Sequence, residues 1–146
     1  MPILNTAVGA ATRRLPKVIT PKGHAIIDYL TIGTFFVAGA LFWRRNKLAA
    51  LGSLLCGGAE LAVNLLTDYP GGVFPVISFP THAKMDIGMA AIAAGVPEFL
   101  EFADMTEKPF FLTQAGIITV ATNLTEFDGN RERFNLSKRR GKARSR

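Results

Sequence analysis

The chain has 146 residues, 49% of them hydrophobic and 19% charged, with a formal net charge of +6 and a mean hydropathy of +0.24. With its two charged ends set aside, the remainder is too apolar for an ordinary soluble domain of this size. The lone Cys56 excludes an intrachain disulfide and reads as small packing filler.

Residues 1–22 form a basic arm with Arg13, Arg14, Lys17 and Lys22, and lack the charged n-region and clear h-region of a cleavable signal peptide. Four apolar segments follow, over 24–43, 48–67, 83–102 and 110–127, each close to the ~20 residues that a bilayer-spanning helix needs. Pro21, Pro80 and Pro109 stand just before three of them, where a missing amide donor costs a helix nothing. Arg44-Arg45-Asn46-Lys47 and Asp104-Met105-Thr106-Glu107-Lys108 divide the members of each pair. The loop 69–81, YPGGVFPVISFPT, is apolar yet broken by Pro and Gly, and suits either a lid over polar groups or a plain interfacial linker. The tail 128–146 carries Arg131, Arg133, Lys138, Arg139, Arg140, Lys142 and Arg144. The predicted fold is therefore all-α: an integral membrane four-helix bundle over 23–127 between two basic ends. The basic residues at both ends place both termini in the cytoplasm.

The bundle reads as an internal duplication, with repeat one over 23–69 and repeat two over 80–127. HAIID at 24–28 matches HAKMD at 82–86. Asn64 lies 36 positions beyond Asp28, and Asn123 lies 37 beyond Asp86. NLLTDY and NLTEF then agree once one leucine is skipped. Two tandem helical hairpins of the same topology predict a pseudo-twofold axis along the membrane normal. Gly33, Gly39, Gly88 and Gly95 are candidates for close helix approach.

This topology gathers the repeated polar residues at the cytoplasmic rim. His24, Asp28, His82 and Asp86 open helices one and three, while Glu60, Asn64, Asp68, Asn123 and Glu126 return to the same end on helices two and four. Residues i and i+4 share a helix face, so His24/Asp28, His82/Asp86 and Glu60/Asn64/Asp68 each form one polar stripe. Stripes facing lipid would be costly, so they are expected to point inward.

The elements HAIIDYLTIG and LLTDYPGGVFPVISFPTHAKMDIG resemble a group of small bacterial four-helix membrane proteins in the style of the SPW-repeat proteins. The resemblance covers about residues 20–127, although the Ser-Pro-Trp signature itself is absent: helix one ends in ALFW and helix three in VPEFLEF. It implies the four-helix architecture and a bacterial inner-membrane location, and no particular reaction.

Two histidines and two carboxylates on diagonal helices suit tetrahedral zinc, and adding Glu60 gives a set closer to a carboxylate-bridged iron or manganese site. Paired His-x-x-x-Asp motifs on two membrane helices are also similar to the zinc-binding arrangement of cation-diffusion transporters, which have a different helix count. A third possibility is haem held by His24 and His82 as axial ligands. Asn64, Asp68, Asn123 and Glu126 would then support the ligands. The opposing possibility is that the layer is interhelical glue, with hydrogen bonds worth roughly 0.6–2 kcal/mol each in a bilayer.

Function is accordingly held between classes. The first is a non-catalytic accessory or structural subunit of a membrane assembly, partnered by lipids, other membrane subunits or further copies of itself. The second is a metal-binding or metal-handling protein using His24, Asp28, Glu60, His82 and Asp86, and the third is the haem electron carrier. The basic tail is expected to dock on anionic lipid or on a partner, at ~1 kcal/mol per basic residue near the surface. Nucleic-acid binding is disfavoured because no recognition fold accompanies the tail. No nucleophile elbow, phosphate-binding glycine loop or Cys-x-x-Cys pair points to an enzyme.

Overall fold

The computed structural model describes residues 16–102 and 105–127. Within them lie four helices: α1 (Pro21–Phe42), α2 (Lys47–Leu66), α3 (Phe79–Phe99) and α4 (Lys108–Leu124). Three helices start on a side-chain cap: Thr20 accepts from the Gly23 amide, Asn46 from Ala49 and Ser78 from Thr81. Each cap satisfies one of the amides that a helix N-terminus leaves unpaired. Proline occupies one of the first two positions of α1, α3 and α4, as the sequence predicts.

Helix α1 packs chiefly on α2 and α3 on α4, with further contacts between α2 and α3 and between α1 and α4. The shared core contains Phe35 from α1, Ala49 and Cys56 from α2, Ala90 and Ala93 from α3, and Phe111, Ala115 and Ile118 from α4, with Phe102 beyond α3. Close approach depends on glycine at particular points. A Cβ on Gly39 would meet Leu54 at 2.6 Å, and one on Gly57 would meet Phe35 at 3.0 Å. Gly33, Gly88 and Gly95 have no such neighbour within 4 Å, so of the four candidates Gly39 alone brings helices together.

The ends of the helices are tied in an exchanged pattern. Two short strands, β1 (Thr67–Asp68) after α2 and β2 (Ile77–Ser78) before α3, pair in parallel with Thr67 opposite Ile77. At the other junction Ile19, just before α1, forms a parallel bridge with Thr125, just after α4. The Ile19 amide donates to the Leu124 carbonyl at 3.0 Å, and the Glu126 amide to the Ile19 carbonyl at 3.1 Å. The first turns of α1 and α3 are thus clamped beside the last turns of α4 and α2.

Helices α1 and α2 are long and apolar enough to cross a membrane. Helix α4 has 17 residues, about 26 Å at 1.5 Å per residue, against a hydrocarbon core of about 30 Å. Helix α3 carries His82, Lys84 and Asp86 in its first two turns. Large apolar side chains nevertheless face outward on all four helices, among them Leu30, Val37, Leu55, Ile92, Leu112 and Val120, beside the exposed Lys22, Lys84, Glu98 and Asn123.

Candidate metal centre

His24 and Asp28 sit one turn apart on α1, and His82 and Asp86 one turn apart on α3. The structure brings all four together in the interior. Both histidines are fully buried, and the aspartates are 6% and 5% exposed. Each carboxylate faces both imidazoles: His24 Nε2 lies 3.4 Å from Asp28 Oδ1 and 3.1 Å from Asp86 Oδ2, and His82 Nε2 lies 3.4 Å from Asp28 Oδ2 and 3.1 Å from Asp86 Oδ1. One ligand atom can be taken from each residue such that all four lie within 4.8 Å of one another.

The far nitrogen of each ring settles which nitrogen carries the proton. His24 Nδ1 lies 2.8 Å from Thr125 Oγ1, and His82 Nδ1 lies 2.8 Å from Thr67 Oγ1. Each hydroxyl donates its single proton to the carbonyl one turn back, Thr125 to Ala121 at 2.6 Å and Thr67 to Val63 at 2.7 Å. Each threonine oxygen therefore accepts from its histidine, so Nδ1 carries a proton in both rings. In the neutral imidazole Nε2 then offers a lone pair toward carboxylate lone pairs, an arrangement that requires positive charge in between. Among the described residues His82 Nε2 has no hydrogen-bond partner of acceptable geometry despite its closeness to Asp86.

The carboxylates are steadied in the same manner. Thr122 Oγ1 donates to Asp86 Oδ2 at 3.1 Å, and the Tyr69 hydroxyl to Asp28 Oδ2 at 3.1 Å. Tyr69 also contacts the Asn64 side-chain oxygen, while Asn64 Nδ2 donates back to the Glu60 carbonyl at 2.8 Å. Burial, then the neighbouring Asp28 charge, pushes the Tyr69 phenol far above its ordinary range, which keeps it a proton donor. All four candidate ligands thus have an orienting partner, the pattern that metal ligands show.

Aromatic rings close the side of the cluster where α1 and α3 begin. His24 packs edge-on against Phe79 and Phe127, and Tyr69 stacks on Phe79 beside His82. The loop after β1 holds this cap in place. Tyr29 donates to the Gly71 carbonyl at 2.7 Å, and Gly72 has no room for a side chain, since a Cβ there would lie 1.7 Å from the Thr67 carbonyl oxygen. Of the predicted lid, Tyr69 and Phe79 touch the polar cluster, whereas Val73, Phe74 and Val76 are exposed.

The other predicted residues are distributed differently. Glu60 is buried, with Oε2 unpartnered, and lies outside the group of four. Asn64 reaches the cluster through Tyr69, and Asp68 is half-buried in β1. Asn123 and Glu126 are exposed, which corrects their expected place in the polar layer. Asn123 Nδ2 instead folds back on the Thr119 carbonyl at 2.8 Å. The far-side acid Glu98 is paired with Lys108 at 2.7 Å. Arg131, Arg133, Lys138, Arg139, Arg140, Lys142 and Arg144 lie outside the described residues. Sequence reasoning missed Thr67, Thr122 and Thr125 as partners of the cluster.

No protein-family model, curated protein or solved structure matches this chain.

Proposed function

We propose that this is a four-span membrane protein that binds one divalent transition-metal ion, zinc by preference, through His24, Asp28, His82 and Asp86. The carrying observation is the pair of threonines that hold both Nδ1 atoms protonated and aim both Nε2 lone pairs at two carboxylates. Two neutral imidazoles and two carboxylates sum to −2, which one dication neutralises. Each Nε2 lies 3.1–3.4 Å from one oxygen of either carboxylate, the two rings facing different oxygens of each aspartate. One ligand atom per residue gathers within 4.8 Å, and an ion with bonds of about 2.0–2.1 Å would draw that set in toward tetrahedral edges of about 3.3–3.4 Å.

The tandem duplication supports the same reading. Ile19 and Ile77, Thr20 and Ser78, His24 and His82, Asp28 and Asp86, and Thr67 and Thr125 are all 58 positions apart. The two members of each pair have equivalent jobs, as strand partner, helix cap, cluster member or histidine acceptor, and the strand pairings and threonine–histidine contacts cross from one half to the other. Duplicated hairpins would make a twofold site from one ancestral half-site. Membrane residence is supported by the two long apolar helices and by the large apolar side chains that the other two expose. We expect the protein to stay in the pellet when membranes are washed with alkaline carbonate; release into the supernatant would contradict the four-span reading.

A second reading is favoured by one contact, the hydrogen bond between His24 Nε2 and Asp86 Oδ2 at 3.1 Å. If both rings carry a second proton, the four groups form a closed ion quartet that fastens α1 to α3, and the protein is a structural or accessory subunit. Elemental analysis by ICP-MS of detergent-purified native protein separates the two. Binding predicts about one zinc per chain that survives gel filtration, as expected for a buried four-ligand site. A metal-free protein that also fails to take up added zinc supports the quartet.

A further inference from the structure

Among the described residues no hydrogen-bond partner accounts for Glu60. It is 4% exposed, its Oε2 has no hydrogen-bond partner, and it lies close enough to interact electrostatically with Asp28, Asp86 and His82. Leaving a buried carboxylate oxygen unpaired is costly, and ionisable groups kept at such positions in membrane domains mark ion pathways. The scaffold itself has no need of the acid. Position 118, 58 residues beyond Glu60, is isoleucine, which packs at 5% exposure in the core.

Its place relative to the cluster indicates a use. On α2, Glu60 lies one turn before Asn64 and two turns before Thr67, on the side of the cluster away from where α1 and α3 begin. The side where they begin is closed by Tyr69, Phe79 and Phe127, which offer a cation one phenol and two plain rings. On the opposite side the unpartnered oxygen of Glu60 is an available carboxyl donor. It is not one of the four gathered ligand atoms, so it does not complete their set.

We propose that Glu60 is a second, transient position for a divalent cation, which holds the ion while it enters or leaves the four-residue site. This rests on the metal-binding reading above. A group that holds the ion only in transit speeds entry and release together and leaves the equilibrium affinity of the main site unchanged, because it stabilises the passage and neither end of it.

The test uses full-length protein in detergent with cobalt(II) alone as the probe, its visible absorption reporting occupancy. Glu60→Gln keeps the shape of the side chain, and Glu60→Ile installs the residue that position 118 already holds. Both variants are expected to keep the wild-type affinity within about threefold, while cobalt uptake and its release to EDTA each slow about tenfold or more. Rates within about twofold of wild type in both variants overturn the proposal. So does a weakened affinity with faster release, which makes Glu60 a resident ligand. Wild-type protein that takes up no cobalt refutes the metal-binding reading itself, and with it this role.

Discussion

Replacing His24 with alanine is expected to lower retained zinc from about one ion per chain to background, and His82→Ala is expected to do the same alone. Each ring supplies one of only two neutral nitrogen donors, and the two carboxylates left behind keep only one imidazole between them. Because the four ligands act as one unit, the double variant should be no worse than either single one. The comparison that matters is His24→Gln, which keeps a polar side chain but neither the ring nor its reach to Asp28 and Asp86. Metal binding predicts loss of zinc in this variant too. A quartet that merely fastens helices predicts no zinc in the parent and, because one buried carboxylate loses its compensating charge, a stability loss of about 3–5 kcal/mol. ICP-MS on the purified variants, with thermal unfolding alongside, reads both quantities.

The second large effect concerns residues that never touch the ion. Thr67→Val and Thr125→Val preserve shape and remove the oxygen that accepts from His82 Nδ1 and His24 Nδ1 respectively. Removing such a partner lowers metal affinity about 10–100-fold. The ring can turn, and the proton is no longer held on the nitrogen away from the ion. The stranded Nδ1–H also costs about 1–3 kcal/mol of stability, since it is buried without an acceptor. Competition with a chromophoric chelator measures the affinity, and an unchanged value in both variants would contradict the assignment of Nδ1 as the protonated nitrogen.

The main features of the centre are legible in the sequence because they depend on helix periodicity. His-x-x-x-Asp places two donors on one face, the prolines mark where the helices begin, and opposite chain directions return the second and fourth helices to the same end. What escapes is rotation about a helix. Matching Asn123 to Asn64 introduces a one-residue shift, and one residue is about 100° around a helix with 3.6 residues per turn. Asn123 therefore faces outward, and its neighbour Thr122, which lies 58 positions beyond Asn64, bonds Asp86. The threonines after the helices escape for another reason. A threonine at a helix end is common, and nothing local says that its hydroxyl is spoken for by a carbonyl one turn back. That fact appears only when Thr125 is found beside His24, 101 residues away in the chain.

Span length is a further point where pattern and geometry diverge. The apolar run 110–127 is read as a full span, yet the helix stops at Leu124. The chain is then drawn into the bridge with Ile19. The same pairing carries Thr125 to His24, so the shortening of α4 and the construction of the centre are one event. At the other junction, β1 and β2 do the equivalent for Thr67 and His82.

The most direct test is X-ray absorption spectroscopy at the zinc edge on the zinc-loaded, detergent-purified protein. The proposed centre predicts a single first shell of two imidazole nitrogens and two carboxylate oxygens at about 2.0–2.1 Å, with imidazole scattering beyond it. A shell of oxygen alone without the imidazole signature would contradict it, as would zinc too weakly held to reach stoichiometry.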